Sequence, residues 1–358
     1  MIGKEYKELV NKLGKCNKRE NINGLDIFIK DIPDSNREGI LDPRVLARKL
    51  QPKNEIKQKD KTMFGEIPIG EIRQGMGCTN IDISKDKIII EERVLYGRSG
   101  EFRIKIYRPE SVLKDLPCII FIHGGAFIGG STDVVENPCK ALAERLYGVV
   151  VSVDYRLAPE FPYPTGLMDC YYTMEYVKNN HEALGINVDN ISIAGDSAGG
   201  NLALISSIMN RDEKVLKLKS IILLYPLLTL CERLYEWNID QYYINEDREI
   251  IEKSFVGLKK TLDLIDKLYL QGKIEPENKK VSPLAEENLK GLPPVLIVTG
   301  EFDYLRIQGE EFSKNLILNH VKLKHIRYRG MDHAFLDKCG IYPQAEDCIN
   351  EIVKWIKG

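Results

Sequence analysis

Short apolar runs alternate with amphipathic stretches along the chain from residue 87 onward. Five of these runs are rich in β-branched residues and predict fully buried strands, at 117–122, 149–153, 190–194, 221–225 and 295–298. Three less continuous runs predict further strands at 88–96, 102–107 and 325–328, the first two joined by a turn at 97–100. Helical periodicity falls between most of the strands, at 135–147, 165–180, 198–209, 308–319 and 344–357. Because buried strands that alternate with helices form parallel sheets covered on both faces, the pattern predicts an α/β fold with a mostly parallel, eight-stranded sheet.

Two stretches do not follow this alternation of strands and helices. Residues 229–283 separate two predicted buried strands, and an excursion that long is typical of an insertion with helices of its own. Because open α/β sheets bind ligands at the carboxyl ends of their strands, we expect the insertion to form a helical cap there, the alternative being a helix pair remote from the site. Residues 1–85 carry no catalytic pattern, although Asp42 and Pro43 predict the capped start of a helix. We expect this N-terminal segment to belong to the cap, with an oligomer contact or a packing arm as alternatives.

Composition and charge exclude several classes of function. The 358 residues are 43% hydrophobic and 29% charged, which is ordinary for a globular protein. A formal net charge of −2 gives no electrostatic reason to expect a nucleic acid or an anionic membrane as partner. The start of the chain has no signal-peptide core, and no window approaches the roughly 18 apolar residues of a membrane span. The eight cysteines are scattered without a Cys-x-x-Cys pair, which argues against a zinc site or a disulfide framework and favours the reducing cytoplasm.

The stretch Gly195-Asp196-Ser197-Ala198-Gly199-Gly200 lies between a predicted strand and a predicted helix. In that context Gly-x-Ser-x-Gly is typical of a nucleophile elbow, in which small residues permit a strained turn that exposes the serine hydroxyl. The N-terminus of the helix would also stabilise negative charge that develops beside Ser197. A serine hydroxyl is a weak nucleophile at neutral pH, so the chain must also supply a base and an acid that orients the base.

A glycine-rich loop, His123-Gly124-Gly125-Ala126-Phe127, follows one of the predicted buried strands. Such a loop turns its backbone N–H groups into a cavity and forms half of an oxyanion hole, and the N–H after the nucleophile forms the other half. The predicted donors are the N–H groups of Gly125, Ala126 and Ala198. We interpret His123 as a residue that braces the loop rather than as the base.

With these motifs the chain resembles the hormone-sensitive-lipase-like branch of the α/β-hydrolases, the bacterial family IV carboxylesterases. Motifs of that branch are matched at 123–126, 154–160, 195–200, 282–284 and 291–306. The resemblance covers the chain from about residue 88 to the C-terminus and implies an α/β-hydrolase catalytic domain at 86–358. It also implies a small-molecule ester substrate, chemistry that needs no metal or cofactor, and pairing of two copies through the last strand and helix.

The resemblance also assigns the acid and the base. Asp303 follows a late predicted strand and precedes a helix, where the branch has its catalytic acid, and Glu301 and Asp332 are the alternatives. His333 lies in the loop after the last predicted strand and is the predicted base. The order Ser197, Asp303, His333 is the order of nucleophile, acid and base in this fold.

Three neighbouring residues complete the predicted site. Gly124 and Asp196 belong to the two matched motifs, and we interpret Asp196 as bracing the site rather than as taking part in the chemistry. Ala126 stands where the branch has a third glycine. Alanine keeps its N–H, so the donor survives, but its Cβ is expected to hinder bulky acids and tertiary alcohols.

The function predicted from these features is that of a serine carboxylesterase acting on short-chain acyl or acetyl esters. An amidase or deacetylase would use the same triad and is the alternative among enzymes. A small-molecule-binding protein of the same fold, without catalysis, is the alternative outside enzymes. A lipase is less favoured, because polar residues fill 246–249 and 275–280 of the insertion.

Overall fold

The framework of the protein is one sheet. The computed structural model describes residues 3–51, 60–97, 100–110 and 114–358, which form ten strands. They are β1 (Lys18–Ile22), β2 (Leu25–Lys30), β3 (Ile88–Gly97), β4 (Gly100–Pro109), β5 (Leu116–Ile122), β6 (Val149–Asp154), β7 (Ile186–Asp196), β8 (Leu218–Leu224), β9 (Val295–Gly300) and β10 (Leu323–Tyr328). Their order across the sheet is β1-β2-β10-β9-β8-β7-β5-β6-β4-β3. The pairs β1–β2, β3–β4 and β4–β6 are antiparallel and the remaining neighbours are parallel, so the predicted α/β fold with a mostly parallel sheet is confirmed.

Helices flank this sheet. They are α1 (Lys4–Lys15), α2 (Pro43–Leu50), α3 (Ile69–Gln74), α4 (Glu136–Leu146), α5 (Thr165–Asn179), α6 (His181–Leu184), α7 (Ala198–Glu213), α8 (Arg248–Leu262), α9 (Arg306–Leu318) and α10 (Pro343–Lys357). Helix α5 packs on α7, whereas α1 and α4 pack on α10. The predicted cap of α2 is confirmed, because the Asp42 side chain accepts a hydrogen bond from the Arg44 N–H and Pro43 is the first helical residue. No helix in the described ranges is long and apolar enough to cross a membrane.

The number of strands differs from the prediction. The described residues form ten strands rather than eight, because residues 18–30 fold into a hairpin whose second strand pairs in parallel with β10. The alternating burial of Leu25, Ile27 and Ile29 gives β2 its inner face. The last strand, through which the resemblance implied pairing of two copies, is therefore covered by the chain's own hairpin. In the β3–β4 turn, residues 98 and 99 lie outside the described residues, and Gly97 pairs with Gly100.

A buried ion-pair cluster fixes this hairpin to the last helix. Lys30 is 3% exposed, and its Nζ lies 3.1 Å from an Asp347 oxygen and 3.0 Å from a Glu351 oxygen. The same ammonium donates a hydrogen bond of 2.9 Å to the main-chain oxygen of Leu13, and the Tyr328 hydroxyl donates to Asp347 at 2.8 Å. Burial alone would lower the pKa of Lys30, but the charges of Asp347 and Glu351 outweigh burial and raise it. Lys30 therefore pairs with Asp347 and shares Glu351 with Lys324 and Lys354.

Replacing Lys30 with methionine is expected to lower the free energy of unfolding by about 3–5 kcal/mol, because the buried Asp347 loses its ion pair with Lys30, although Glu351 keeps Lys324 and Lys354. Urea denaturation followed by circular dichroism measures the change. Lys4→Met, which removes an exposed lysine 3.9 Å from Glu8, serves as the control and is expected to leave the unfolding curve unchanged. An unchanged curve for Lys30→Met would contradict the stabilising role of the cluster.

The insertion between β8 and β9 is attached to the loop that carries Asp303. It contains α8, two short 3₁₀ turns and a π-helical turn at Asp266–Leu270. Trp237, Tyr242 and Phe255 of the insertion form an aromatic cluster with Tyr304. The Tyr242 hydroxyl donates a hydrogen bond of 2.9 Å to the main-chain oxygen of Asp303. Residues of the insertion thus hold the backbone next to the predicted acid.

The N-terminal segment has two different positions in the fold. Residues 18–30 belong to the sheet, whereas residues 39–49 contact both the insertion and the loop before His333. Lys49 makes both contacts, since its Nζ lies 2.7 Å from the Asp332 carboxylate and 2.9 Å from the Ser254 hydroxyl of α8. Among the described residues before residue 86, the hairpin therefore belongs to the sheet, and only part of the segment that we expected to belong to the cap contacts the insertion.

Candidate active site

Ser197 lies at the sharp turn between β7 and α7. Its φ of 52° and ψ of −119° are strained for a residue other than glycine. The turn is held by a hydrogen bond of 2.9 Å from the Ser197 N–H to the Leu224 oxygen. It also requires glycine on both sides, since a Cβ on Gly195 would lie 2.2 Å from the Gly199 oxygen and one on Gly199 would lie 2.1 Å from the Ile122 oxygen. Strand β7, the sharp turn and helix α7 meet at Ser197, as the Gly-x-Ser-x-Gly motif predicts.

The structure brings the three predicted catalytic residues together. Ser197 Oγ lies 2.9 Å from His333 Nε2, and His333 Nδ1 lies 2.8 Å from Asp303 Oδ2. Asp303 is fully buried, and its other carboxylate oxygen accepts a hydrogen bond of 2.8 Å from the Leu305 N–H. With its proton on Nδ1, His333 donates to Asp303 and leaves Nε2 to accept from the Ser197 hydroxyl. This arrangement can move a proton from the serine to the histidine.

Electrostatics favour His333 as a base. Burial alone would lower the pKa of its imidazole, but the charge and hydrogen bond of Asp303 outweigh burial, and the charges of Asp196 and Asp332 add to their effect. The pKa of His333 therefore lies above its usual value. A reaction that needs the neutral imidazole gains rate as the pH rises through this pKa, so its acid limb lies above the usual pKa of histidine.

The glycine-rich loop after β5 lies beside Ser197. Gly125 has a φ of 124° and Ala126 a φ of 53°, and a Cβ on Gly125 would lie 2.1 Å from the Gly129 oxygen. The loop is tied to the elbow by a hydrogen bond of 2.8 Å from the Gly124 N–H to the Asp196 carboxylate. Gly125 and Ala126 line the same cavity as Ser197. Ala198 is the first residue of α7, where a backbone N–H has no acceptor within the helix.

His123 and the alternative acids have contacts away from the Ser197–His333 pair. His123 is buried, stacks on Tyr155 at 4.3 Å between ring centroids, and places Nδ1 2.8 Å from the Gly124 oxygen. Burial lowers the pKa of His123, which disfavours its charged form. Glu301 accepts a hydrogen bond from the Gly330 N–H, and Asp332 pairs with Lys49. Their positions fit the interpretation of His123 as a brace of the loop, and Asp303 is the carboxylate that contacts His333 Nδ1.

A cavity of about 200 Å³ opens beside Ser197. Its walls are mostly apolar and include Met76, Val134, Val135, Leu227, Leu258 and Leu262. Sequence reasoning did not find these residues, because they come from the N-terminal segment, the sheet loops and α8 and carry no common motif. Among the described side chains, no group of three or more His, Cys, Asp or Glu is placed to hold a metal ion. The described site thus places a serine hydroxyl, an imidazole and a carboxylate in one hydrogen-bonded series beside a small apolar cavity.

Replacing Ala126 with glycine is expected to favour bulky esters. Glycine adopts a φ of 53° without the steric cost of a Cβ, and the substitution removes one carbon from the cavity wall. The expected result is a several-fold rise in the ratio of kcat/KM for tert-butyl acetate to that for ethyl acetate, measured by titrating the released acid. An unchanged ratio would show that the Ala126 side chain does not limit access.

The chain is similar to known proteins over most of its length. A family model described as alpha/beta hydrolase fold matches residues 119–337, which include Ser197, Asp303 and His333. An arylesterase of Saccharolobus solfataricus is 34% identical over 236 residues, which are 66% of this chain and 73% of that protein. Carboxylesterase NlhH of Mycobacterium tuberculosis is 31% identical over 261 residues, 72% of this chain and 79% of that protein. A solved structure of a hyperthermophilic esterase from the archaeon Pyrobaculum calidifontis shares 32% identity with a TM-score of 0.64, covering 75% of this chain and 85% of that one.

Proposed function

The chain belongs to the α/β-hydrolase family, as its motifs predicted, and we propose that it is a serine carboxylesterase that hydrolyses short-chain acyl esters. One observation carries the proposal, namely the hydrogen-bonded series from Ser197 through His333 to Asp303 beside an apolar cavity. The names of the relatives, an arylesterase and a carboxylesterase, support an ester as the substrate.

In the first half of the proposed reaction, Ser197 Oγ attacks the ester carbonyl while His333 Nε2 accepts its proton. Asp303 holds the imidazole in the required tautomer and stabilises its charged form. The N–H groups of Gly125, Ala126 and Ala198 are the proposed donors to the oxyanion, each contributing a few kcal/mol by comparison with measured oxyanion holes. Asp196 supports this hole through its hydrogen bond to the Gly124 N–H.

In the second half, His333 gives the proton to the leaving alcohol, and the acyl group stays on Ser197. Water then enters, His333 accepts one of its protons, and the resulting hydroxide attacks the acyl carbonyl. The tetrahedral intermediate releases the carboxylic acid, and the proton on His333 returns to Ser197 Oγ. Every proton in this cycle moves through one imidazole, which is why its raised pKa matters.

The size of the cavity supports short acyl groups. Its volume of about 200 Å³ is below the roughly 300–1,000 Å³ of sites for drug-sized ligands. Leu258 and Leu262 of α8 form part of the cavity wall. We propose that the insertion, to which they belong, acts as the cap. An amidase would form the same acyl-enzyme, and no contact among the described residues favours an amide over an ester.

A series of 4-nitrophenyl esters from acetate to palmitate tests this proposal, with 4-nitroacetanilide as the amide substrate. The expected kcat/KM is highest for the short chains and falls steeply for long ones, and the anilide reacts far more slowly. Leu258→Ala, which shortens one wall side chain, is expected to move the optimum toward longer chains. An optimum at palmitate, or no hydrolysis by the folded protein, would contradict the proposal.

Free thiols support the cytoplasm as the proposed location. All eight cysteines are unpaired, and six of them are buried. Buried thiols suit a reducing compartment, where disulfides do not form. Fractionation of the native host with an antibody against the chain would test the location, and recovery of the chain in the extracellular fraction would contradict it.

A further inference from the structure

One acidic side chain in the cavity wall has no part in the proposed hydrolysis. Asp337 lies in the 3₁₀ helix Phe335–Lys338 that follows His333, is 6% exposed, and lines the cavity beside Ser197. Within the described part of the chain, no hydrogen bond or ion pair reaches its carboxylate. The Cys78 thiol donates to the main-chain oxygen of Asp337 and so holds its backbone. Asp337 lines the space that a substrate would fill, and its carboxylate is available to accept a hydrogen bond there.

The cavity lining contains a second carboxyl group besides that of Asp337. Asp196 also lines the cavity, and burial together with the charge of Asp337 raises the pKa of Asp196. Burial raises the pKa of Asp337 too, although the charges of Lys338 and His333 act in the opposite direction. The Tyr225 hydroxyl is buried. Burial is the main cause that raises its pKa, and the charges of Asp196 and Asp337 raise it further. Two carboxyl groups thus share the cavity lining with apolar side chains such as those of Leu227 and Leu258.

We propose that Asp337 is a specificity-determining residue that selects ester substrates carrying a hydroxyl group, by accepting a hydrogen bond from that hydroxyl. The inference rests on the proposed esterase function and names the class of ester more closely. A carboxyl group accepts a hydrogen bond from a hydroxyl whether it is ionised or protonated. A hydroxyl also loses less hydration than an ammonium group when it enters an apolar cavity. The apolar walls would meanwhile hold the carbon skeleton.

The size of the cavity limits where the hydroxyl can be. Asp337 and Ser197 line one cavity of about 200 Å³, so the hydroxyl must lie within a few bonds of the reacting carbonyl. Sites built to bind a substrate hydroxyl discriminate against the analogue without it, because the buried acceptor is then left unpaired. The preference should therefore appear in the comparison of two esters that differ in one hydroxyl.

The test compares two such pairs of esters. One pair varies the acid, 4-nitrophenyl 3-hydroxybutyrate against 4-nitrophenyl butyrate, and the other varies the alcohol, 2-hydroxyethyl butyrate against propyl butyrate. The wild-type protein is expected to prefer the hydroxylated member of at least one pair by about tenfold in kcat/KM. Asp337→Leu should abolish this preference, whereas Asp337→Asn, which keeps a carbonyl acceptor, should retain part of it. Asp189→Leu removes an exposed carboxylate outside the cavity and should leave the preference intact.

Equal ratios in the wild type and Asp337→Leu, or no preference in either pair, would overturn the inference. If the wild type hydrolyses simple esters but shows either of these results, the proposed esterase function stands and the inference about Asp337 fails. Calorimetric titration of Ser197→Ala with both butyrates of the second pair provides a measurement that needs no turnover. Tighter binding of 2-hydroxyethyl butyrate, lost in the double variant Ser197→Ala/Asp337→Leu, would support the inference even if the esterase function failed. Equal binding of the two esters, together with no preference in the first pair, would overturn it.

Discussion

Ser197→Ala is expected to lower kcat for 4-nitrophenyl butyrate by about 10⁴- to 10⁶-fold, as loss of the nucleophile does in other serine hydrolases. The methyl group cannot attack the carbonyl, so the acyl-enzyme does not form. The remaining acceleration would come from the oxyanion donors and from binding of the ester. Stopped-flow and steady-state release of 4-nitrophenolate, compared with the wild type at the same pH, measure the loss.

The matched control for this variant is Ser207→Ala. Ser207 lies on the same helix, α7, and its hydroxyl donates a hydrogen bond of 2.7 Å to the Ala203 oxygen. Its removal changes the helix locally without touching the cavity, so kcat should remain close to that of the wild type. Comparable turnover by Ser197→Ala and Ser207→Ala would rule out Ser197 as the nucleophile.

Asp303→Asn is expected to lower kcat by about 10⁴-fold while leaving the fold intact, as the equivalent change does in a well-studied triad. The amide can donate a hydrogen bond to His333 Nδ1, which favours the tautomer with its proton on Nε2 and blocks acceptance from Ser197. The substitution also removes the carboxylate that raises the pKa of His333. The acid limb of the remaining activity should therefore move to lower pH.

The pH dependence of kcat/KM, measured across the acid and neutral range, separates this effect from general damage to the site. Asp332→Asn is the control, because Asp332 is the neighbour of His333 but pairs with Lys49 and has a weaker influence on the pKa of His333. We expect a smaller shift and nearly full activity from it. An acid limb that stays in place in Asp303→Asn would mean that Asp303 does not set the pKa of His333.

The sequence predicted the central strands well because their signal is local. All six residues of β9 are buried, and a strand buried on both faces appears in the sequence as one apolar run. The N-terminal hairpin gives no such signal. Strand β1 reads Lys-Arg-Glu-Asn-Ile, typical of an exposed edge, and β2 ends in Lys30, whose burial depends on Asp347 and Glu351 more than 300 residues away. The hairpin forms because β2 pairs with the edge of β10. The sequence of residues 18–30 alone does not indicate that this edge is present.

The candidate site divides in the same way. The elbow at Ser197 and the loop at Gly125 need particular small residues at particular positions, so a short sequence motif is enough to predict them. The cavity walls need only apolar side chains of suitable size, and Met76 and Leu258 reach the cavity from distant parts of the chain. The carboxyl group of Asp337 likewise has no motif, because its position depends on how the turn after His333 folds against the elbow.

Covalent labelling of the folded protein tests the central claim most directly. Diethyl 4-nitrophenyl phosphate transfers its diethylphosphoryl group to an activated serine and releases one 4-nitrophenolate. The proposed mechanism predicts one label per chain, on the peptide that contains Ser197, with esterase activity lost in proportion to labelling and no label on Ser197→Ala. Complete inactivation with Ser197 unmodified, or esterase activity that persists after Ser197 is fully labelled, would contradict it.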